Sequence, residues 1–127
     1  MYKFLTLDWM KAYKDLWNQK QDLIRELNNF SALIKYKVEG REPGVVLLVE
    51  NGMAKDVEEA KEKDYDFEMW SNIDIWKRLA TNDLGPKAAL LTKKLKFKGS
   101  MITAMKYISS FEKSISMMSE IPSIFEL

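Results

Sequence analysis

The chain has 127 residues, of which 46% are hydrophobic and 31% are charged, and its formal net charge is +1. This balance predicts a single soluble globular domain spanning residues 1–127. The low net charge argues against a nucleic-acid partner, because proteins that bind nucleic acids usually carry a large excess of basic residues. Cysteine and histidine are both absent, which excludes disulfides, thiolate or imidazole metal ligands, and catalysis by Ser-His-Asp or Cys-His groups.

No targeting signal is evident in the sequence. The apolar run within residues 1–8 is too short for a signal peptide, and no apolar stretch approaches the roughly 18 residues of a membrane span. The last three residues, 125–127, are not the peroxisomal Ser-Lys-Leu address. We therefore expect a cytoplasmic location.

The first predicted element is a long amphipathic helix, capped by Asp8 and running to about Asn29. Apolar residues recur three or four positions apart from Trp9 to Leu27, with lysine and arginine mostly between them. We expect this helix to cover one face of a sheet.

Two strands and a hairpin follow. Residues 34–38 alternate between apolar side chains and lysine, as a half-buried strand requires. Residues 45–49 are apolar on both faces, so this strand should be covered on both sides, by a helix or by a ligand. Asn51 and Gly52 form the dipeptide typical of a tight hairpin, with residues 53–57 as the returning strand.

Residues 65–69 form the next alternating strand, with Tyr65, Phe67 and Met69 predicted on one face. Ser71 followed by Asp74 resembles a capping box that starts a short helix. Pro86 suits the first position of a second short helix that ends near residue 92.

The last predicted elements are a strand over residues 94–98 and a long helix. The strand alternates lysine with apolar residues and is closed by Gly99. Ser100 caps the helix, which we expect to run to about Met118, followed by a flexible tail at 119–127 that could gate a binding site. The element order indicates an α+β fold, with a largely antiparallel five-stranded sheet and the helices packed on it.

The second half of the chain resembles the sterol carrier protein 2 family. The matching parts are the strand at 65–69, the short helix at 73–79, the segment from Gly85 to Leu91, and the lysine-rich strand from Lys93 to Gly99. The earlier helix and hairpins fit the order of elements in that family. Lys93 and Ser100 depart from the glycine and aspartate that many members have, and Thr81-Asn82 replaces a frequent glycine.

The resemblance implies a tunnel between sheet and helices that holds a fatty acid, acyl-CoA, phospholipid or sterol-like molecule, with no cofactor and no shared catalytic residues. Methionine suits such a wall because its flexible side chain repacks easily, and the chain has eight. The alternative is that these methionines fill an ordinary core. The candidate lining residues are Val46, Leu48, Phe67, Met69, Trp76, Leu79, Leu91, Leu95, Phe97, Met101, Met105 and Ile108.

The lysines of the strand at 94–98 form a candidate membrane-docking patch. Lys94, Lys96 and Lys98 share one strand face, and each lysine near an anionic bilayer contributes about 1 kcal/mol. An edge strand protected from aggregation by its lysines is at least as good a reading of the same residues. The resulting expectation is a transient contact with an anionic membrane surface.

Other functions have weaker support in the sequence. The acidic residues between 56 and 68 match no calcium loop, and nothing in the sequence places two carboxylates in one cleft, so we expect no metal and no enzyme activity. The main rival is an accessory or oligomerisation module in which the same fold has a filled core and presents substrate to a partner enzyme. A homodimer is left open.

Overall fold

The protein is described by a computed structural model that covers residues 1–127. Its helices are α1 (Leu7–Trp17), α2 (Gln21–Glu26), α3 (Ile73–Ala80), α4 (Pro86–Leu91), α5 (Met101–Lys106) and α6 (Ile108–Ser116), followed by a 3-10 turn at Met117–Glu120. Its strands are β1 (Tyr2–Lys3), β2 (Ala32–Val38), β3 (Val45–Glu50), β4 (Met53–Glu59), β5 (Phe67–Ser71), β6 (Lys96–Gly99) and β7 (Ser123–Ile124). None of these helices combines the length and apolar character needed to cross a membrane.

Five strands form the main sheet in the order β4-β3-β2-β5-β6. Every neighbouring pair is antiparallel except β2 and β5, which run parallel. The predicted α+β fold with a largely antiparallel five-stranded sheet is confirmed. The parallel pair lies at the centre of the sheet and forms the floor of the site described below.

The N-terminal helix is divided into α1 and α2, which corrects the expectation of one continuous helix. It is capped by Thr6, which accepts a hydrogen bond from the backbone N–H of Trp9, and not by Asp8. The helix ends at Trp17, and the side-chain amide of the next residue, Asn18, bonds both to the backbone N–H and to the carbonyl of Ala54, at 2.9 and 2.7 Å. Tertiary bonding to β4 therefore ends α1, although the helical pattern continues in the sequence.

The hairpin predicted at Asn51-Gly52 joins β3 to β4. Both residues have positive φ, 48° and 81°, as the tight turn with two left-handed positions requires. A Cβ on Gly52 would lie 2.6 Å from the carbonyl oxygen of Ile24. The indole of Trp17 donates to the carbonyl of Gly52 at 2.8 Å, so α1, α2 and the hairpin meet at this glycine.

The two faces of the sheet have different coverings. Alternate residues of β2, from Ala32 to Val38, are buried in the main core beneath the helices. On the opposite face, Val46 packs with Ala60 and Tyr65 of the β4–β5 loop. The strand at 45–49 is thus covered on both sides, by the helices on one face and by the β4–β5 loop on the other. Tyr65 precedes β5, so the prediction that it shares a strand face with Phe67 was wrong.

In the second half of the chain, two of the three helix starts agree with the prediction from the sequence. Pro86 begins α4, and Ser100 caps α5 by accepting a hydrogen bond from the N–H of Thr103 at 3.2 Å. The cap of α3 is Asn72, because Ser71 is the last residue of β5 and its hydroxyl donates to the carbonyl of Lys94 at 2.7 Å. The long final helix is also divided, between Lys106 and Ile108.

The C-terminal tail packs against the N-terminal residues of the chain. β7 pairs in parallel with β1, and the rings of Phe125 and Phe4 lie 5.1 Å apart. The guanidinium of Arg41 donates to the carbonyls of Phe4 and Glu126. These contacts correct the expectation that residues 119–127 form a flexible gate.

Candidate functional site

A small apolar cavity lies between the core face of the sheet and the C-terminal helices. Its volume is about 60 Å³. The sheet and the segments before it contribute Trp17, Leu27, Phe30, Ile34, Tyr36, Phe67, Met69 and Phe97, and the helices contribute Thr103, Ala104, Tyr107, Ser110, Phe111 and Ser114. The space is therefore enclosed mainly by aromatic and aliphatic side chains.

The floor of the cavity follows from strand register. Ile34 of β2 lies beside Phe67 of β5, Tyr36 lies beside Met69, and Met69 in turn lies beside Phe97 of β6. Because alternate residues of a strand point to the same face, these side chains converge on one side of three adjacent strands. The rings of Phe67 and Phe97 are 5.7 Å apart, within the usual range for aromatic contact.

The roof of the cavity combines small side chains on α5 and α6 with the rings of Tyr107 and Phe111. Thr103 and Ala104 come from α5, and Ser110 and Ser114 come from α6. The hydroxyl of Ser114 donates to the carbonyl of Phe111 at 2.8 Å, so this polar group is satisfied within its own helix. Small residues leave space above the aromatic floor that larger ones would fill.

Tyr36, in the floor, and its neighbour Tyr13 are the titratable groups buried at the site. Burial raises the pKa of the Tyr36 phenol above its ordinary value, and burial, with the nearby Tyr36, raises the pKa of Tyr13 well above the usual range. Both phenols therefore stay neutral at ordinary pH. The cavity wall carries no charge.

A shallow polar depression adjoins the cavity. It has a volume of about 390 Å³ and shares Phe30, Phe67, Thr103 and Tyr107 with the cavity wall. It adds the polar groups of Ser31, Asp66, Ser100 and Lys106. The carboxylate of Asp66 accepts a hydrogen bond from the N–H of Leu33 at 2.8 Å, and the ammonium of Lys106 lies 5.3 Å from the centre of the Tyr107 ring. The site thus has an apolar interior and a polar rim.

Three of the predicted lining residues lie together in the cavity wall: Phe67, Met69 and Phe97. That they contact a ligand stays a prediction. Trp76, Leu79 and Leu95 are fully buried in the main core and do not reach the cavity. The expectation that these three line it is corrected, because the short helices pack directly on the sheet.

The remaining candidates point away from the cavity. Val46 and Leu48 lie on the opposite face of the sheet, in register with Lys35 and Leu33. Leu91, Met101 and Met105 are exposed, at 61%, 47% and 40% of their surface, and Ile108 is half-buried outside the wall. Strand periodicity placed Val46 and Leu48 on one face, but that face lies away from the cavity, and the helical face that carries Met101 and Met105 is exposed.

The small roof residues were missed by a search for large apolar side chains. Thr103, Tyr107, Ser110 and Ser114 follow one another at steps of three and four, which places them on one helical face despite the break at residue 107. A stripe of small and hydroxyl residues at helical spacing was the available signal. No local sequence pattern indicated that Trp17 and Phe30 line the cavity, because tertiary contacts bring them there.

The lysine strand differs from its prediction. It begins at Lys96, so Lys94 precedes it, and it is an edge strand of the sheet. Lys96 pairs with Glu39 at 2.6 Å, and Lys98 lies 3.5 Å from Asp64 and 3.8 Å from Glu68. Lys94 has no ion pair, so the three lysines are not equally free to contact an anionic surface.

Fold and cavity together define a small α+β domain whose sheet and C-terminal helices enclose an uncharged apolar space. The wall contains no acidic or basic side chain, and nowhere in the protein do three acidic residues cluster as metal ligands. The chain belongs to the SCP-2 sterol transfer family, whose sequence model matches residues 10–112. The resemblance to sterol carrier protein 2 is thereby confirmed, and with it a family of lipid-binding and lipid-transfer domains.

Solved structures of the same fold agree with this assignment. A crystal structure of sterol carrier protein 2 superposes with a TM-score of 0.84 at 19% identity, covering 94% of this chain and all of the other. The sterol carrier protein domain 2 of Helicoverpa armigera gives 0.62 at 20% identity, with 92% and 91% covered. The UbiJ–SCP2 ubiquinone synthesis protein gives 0.61 at 13%, with 96% and 98% covered.

The fold also occurs as a part of a larger protein. The inverting sec-alkylsulfatase Pisa1 from a Pseudomonas species matches with a TM-score of 0.57 at 13% identity over 79% of this chain, but only 16% of the sulfatase is covered. At these identities the likeness establishes the fold alone. A comparison with curated protein sequences gave no significant match.

Proposed function

We propose that the protein binds a hydrophobic ligand in the cavity and releases it without covalent change. The observation that carries this proposal is the construction of the cavity, with a largely aromatic floor on three strands and a roof that includes four small residues on two helices. Binding sites for apolar ligands have this character, with few polar groups that fix orientation. The ligand classes are a fatty acid, acyl-CoA, phospholipid or sterol-like molecule, and the proposed compartment is the cytoplasm, with which the lack of cysteine is compatible.

The cavity must widen to admit such a ligand. Pockets that bind small molecules usually have volumes of about 300 to 1,000 Å³, whereas the volume of this cavity is about 60 Å³. The element that can move at least cost is α5, which has six residues and no buried side chain. Elements with little buried apolar surface open with the smallest free energy. Outward movement of α5 removes Thr103 and Ala104 from the roof.

The ends of α5 fit this role. Before it, Gly99 has a φ of 142°, and a Cβ there would lie 2.6 Å from a ring carbon of Phe67. After it, the helix stops at Tyr107 before α6 begins. Gly99 and Tyr107 therefore separate α5 from its neighbours on both sides, and α6, which holds the buried residues Ser110, Ser114 and Ile115, keeps its place.

The polar depression suggests how an amphiphile is oriented. An acyl chain would occupy the apolar cavity, and its polar head would lie in the depression beside Lys106. The ammonium of Lys106 is the basic group of the depression and can pair with the head of a ligand, whereas one carboxylate oxygen of Asp66 accepts a hydrogen bond from the N–H of Leu33. This favours an anionic head group, carboxylate or phosphate, over a neutral one.

An accessory module is the second candidate. Its supporting observation is the small size of the cavity together with the exposed apolar side chains of α5, namely Met101, Ile102 and Met105. A filled core and an exposed apolar surface are features of a subunit that docks on a partner. In that case the protein would present substrate to a partner enzyme or stabilise an oligomer, a homodimer included, and would not carry lipid alone.

Native mass spectrometry of the purified protein, with organic extraction of bound material, distinguishes the two. A stoichiometric adduct that extracts as lipid, or uptake of one lipid molecule after incubation with a mixture of fatty acids and phospholipids, supports the carrier. A mass that stays at the value for the bare chain in both conditions would reject it in favour of the accessory module.

A further inference from the structure

The large apolar side chains of helix α5 face away from the protein core. Met101, Ile102 and Met105 are exposed, at 47%, 86% and 40% of their surface, whereas Thr103 and Ala104 face the cavity. At 100° per residue, the three large side chains and Lys106 form one continuous outer face. A surface helix of a globular protein normally shows the reverse arrangement. The outward face of α5 is therefore suited to an apolar environment outside the protein.

The stretch of sequence that contains α5 carries only basic charges. No acidic residue occurs between Asp83 and Glu112. Lysines occupy this interval at Lys87, Lys93, Lys94, Lys96, Lys98 and Lys106. Lys96 and Lys98 are neutralised by carboxylates of other segments, but no ion pair holds the other four. An apolar helix face with free lysines on its own helix and on the segments before it is the combination that binds anionic bilayers.

We propose that α5 is a membrane-docking element, which inserts Met101, Ile102 and Met105 into the interface of an anionic phospholipid bilayer. The proposal rests on the proposed carrier function, because it places the mouth of the cavity at the membrane surface. It also relocates the docking site, which the sequence had assigned to the face of the lysine strand. Lys106, which lies on the same outer face of the helix, meets the lipid phosphates.

Helix length and charge limit how strongly α5 can hold the membrane. Six residues span about 9 Å, which suits a helix lying in the interface and not one that crosses the bilayer. Three apolar side chains give weak, reversible anchoring, and each lysine near an anionic surface strengthens it about fivefold. Reversible docking is what a carrier needs, since it must leave the membrane with its ligand.

A second copy of the chain is a poorer occupant for this face. In a two-fold dimer the same patch occurs on both subunits. Lys106, which lies on this face and has no ion pair, would then lie close to its own copy. Repulsion between like charges disfavours that contact. An anionic lipid surface instead supplies the missing counter-charge.

Vesicle binding tests the proposal with a matched pair of variants in the full chain. Ile102→Glu removes the most exposed side chain of α5. Met53→Glu makes the same charge change on β4, at the opposite edge of the sheet from β6. With vesicles of phosphatidylcholine and phosphatidylglycerol, we expect Ile102→Glu to weaken co-sedimentation roughly tenfold or more and Met53→Glu to leave it unchanged. Equal weakening by both variants, or no binding by the unmodified protein, would overturn the proposal.

A fluorescent label locates the contact directly. Because the chain has no cysteine, Ile102→Cys and Met53→Cys each give one labelling position for an environment-sensitive dye. We expect a blue shift with anionic vesicles at position 102 and none at position 53 or with pure phosphatidylcholine. A shift at 102 that instead grows with protein concentration in the absence of vesicles would assign this face to self-association and overturn the proposal.

Failure of docking and failure of lipid carriage give different results. Fatty acid delivered from solution reaches the cavity without a membrane, so Ile102→Glu should bind it in native mass spectrometry as the unmodified protein does, while taking lipid from anionic vesicles more slowly. Normal rates from vesicles with normal binding would reject the docking role alone. No binding from solution by either protein would reject the carrier function itself.

Discussion

The phenol of Tyr13 donates a hydrogen bond to the backbone carbonyl of Ser114, with an O···O distance of 2.7 Å. The two residues belong to the first helix and to the helix that roofs the cavity. Tyr13 is fully buried, stacks on Trp9 at 5.1 Å and meets Tyr36 of the cavity floor edge to face at 5.9 Å. The contacts of Tyr13 on α1 therefore help to fix the position of α6 over the sheet.

Removing this hydroxyl should destabilise the protein. Tyr13→Phe keeps the ring packing but leaves a buried carbonyl without its partner, so we expect the free energy of unfolding to fall by about 1 to 2 kcal/mol. Urea unfolding followed by tryptophan fluorescence measures the difference. Tyr2→Phe, at a residue that is 40% exposed, serves as the control and should change stability little; similar losses in the two variants would contradict the role of the bond.

Stability should decline at alkaline pH because of the same pair. Burial raises the pKa values of Tyr13 and Tyr36 in the folded protein, whereas in the unfolded chain both titrate near the ordinary value of about 10. The neutral phenols thus contribute fully below about pH 10, and this contribution is lost as the pH rises further, because only the unfolded state ionises. Unfolding midpoints between about pH 8 and pH 11 test this. Tyr13→Phe should flatten the decline, and an equally steep curve would argue against the assignment.

Filling the cavity from its roof should lower ligand binding. Ala104→Phe places a large side chain in a space of about 60 Å³, so we expect less lipid uptake in a fluorescent fatty-acid titration. Met105→Phe, one position along the same helix but on its exposed side, is the control. Reduced uptake in the control as well would mean that α5, and not the cavity, limits binding.

Core residues beside the site should affect stability without affecting affinity. Leu79 is fully buried on α3 and lies outside the cavity wall. Leu79→Ala should cost about 2 to 5 kcal/mol of unfolding free energy, while the fraction that stays folded binds lipid with unchanged affinity. Phe97→Ala in the cavity floor should weaken binding. A weakened affinity in folded Leu79→Ala would return Leu79 to the binding site.

The hairpin glycine should tolerate no side chain. Gly52 has a φ of 81°, and its added Cβ would lie 2.6 Å from the carbonyl oxygen of Ile24, so Gly52→Ala should cost more than about 2 kcal/mol. Gly85 has negative φ and open space around it. Gly85→Ala should therefore stay within about 0.5 kcal/mol of the unmodified protein in thermal unfolding. A mild Gly52→Ala effect would show that the turn can rearrange.

Local chemistry explains which elements were predictable from the sequence. Asn51-Gly52, Pro86 and Ser100 each satisfy a backbone requirement at their own position, and the structure has a turn or a helix start at each. The break after Trp17 has no such local cause, because it depends on the bonds of Asn18 to Ala54 on β4. Distant partners are not encoded in periodicity.

The site shows the same division. Phe67 and Met69 were placed correctly on one face, since alternation along a strand fixes which residues share it. Phe97 also reaches the cavity, but Leu95, which was expected to share its face, does not. The cavity lies beside one face only, and the packing of α3, α4 and α5 decides how Leu79, Leu91 and Met101 are placed around it. Large apolar residues were expected at the cavity, but the space exists where the side chains are small, at Ala104, Ser110 and Ser114.

The pairing of β1 with β7 has a consequence for how the protein forms in the cell. Tyr2 lies opposite Ser123, and the indole of Trp9 donates to the hydroxyl of that same serine at 2.9 Å. Ribosomes add residues from the N-terminus onward, so the aromatic face of α1 lacks this partner until Ser123 has been synthesised. The closure of this part of the core is thus expected only once Ser123 has left the ribosome, and a nascent chain stalled before this point would be a substrate for chaperones.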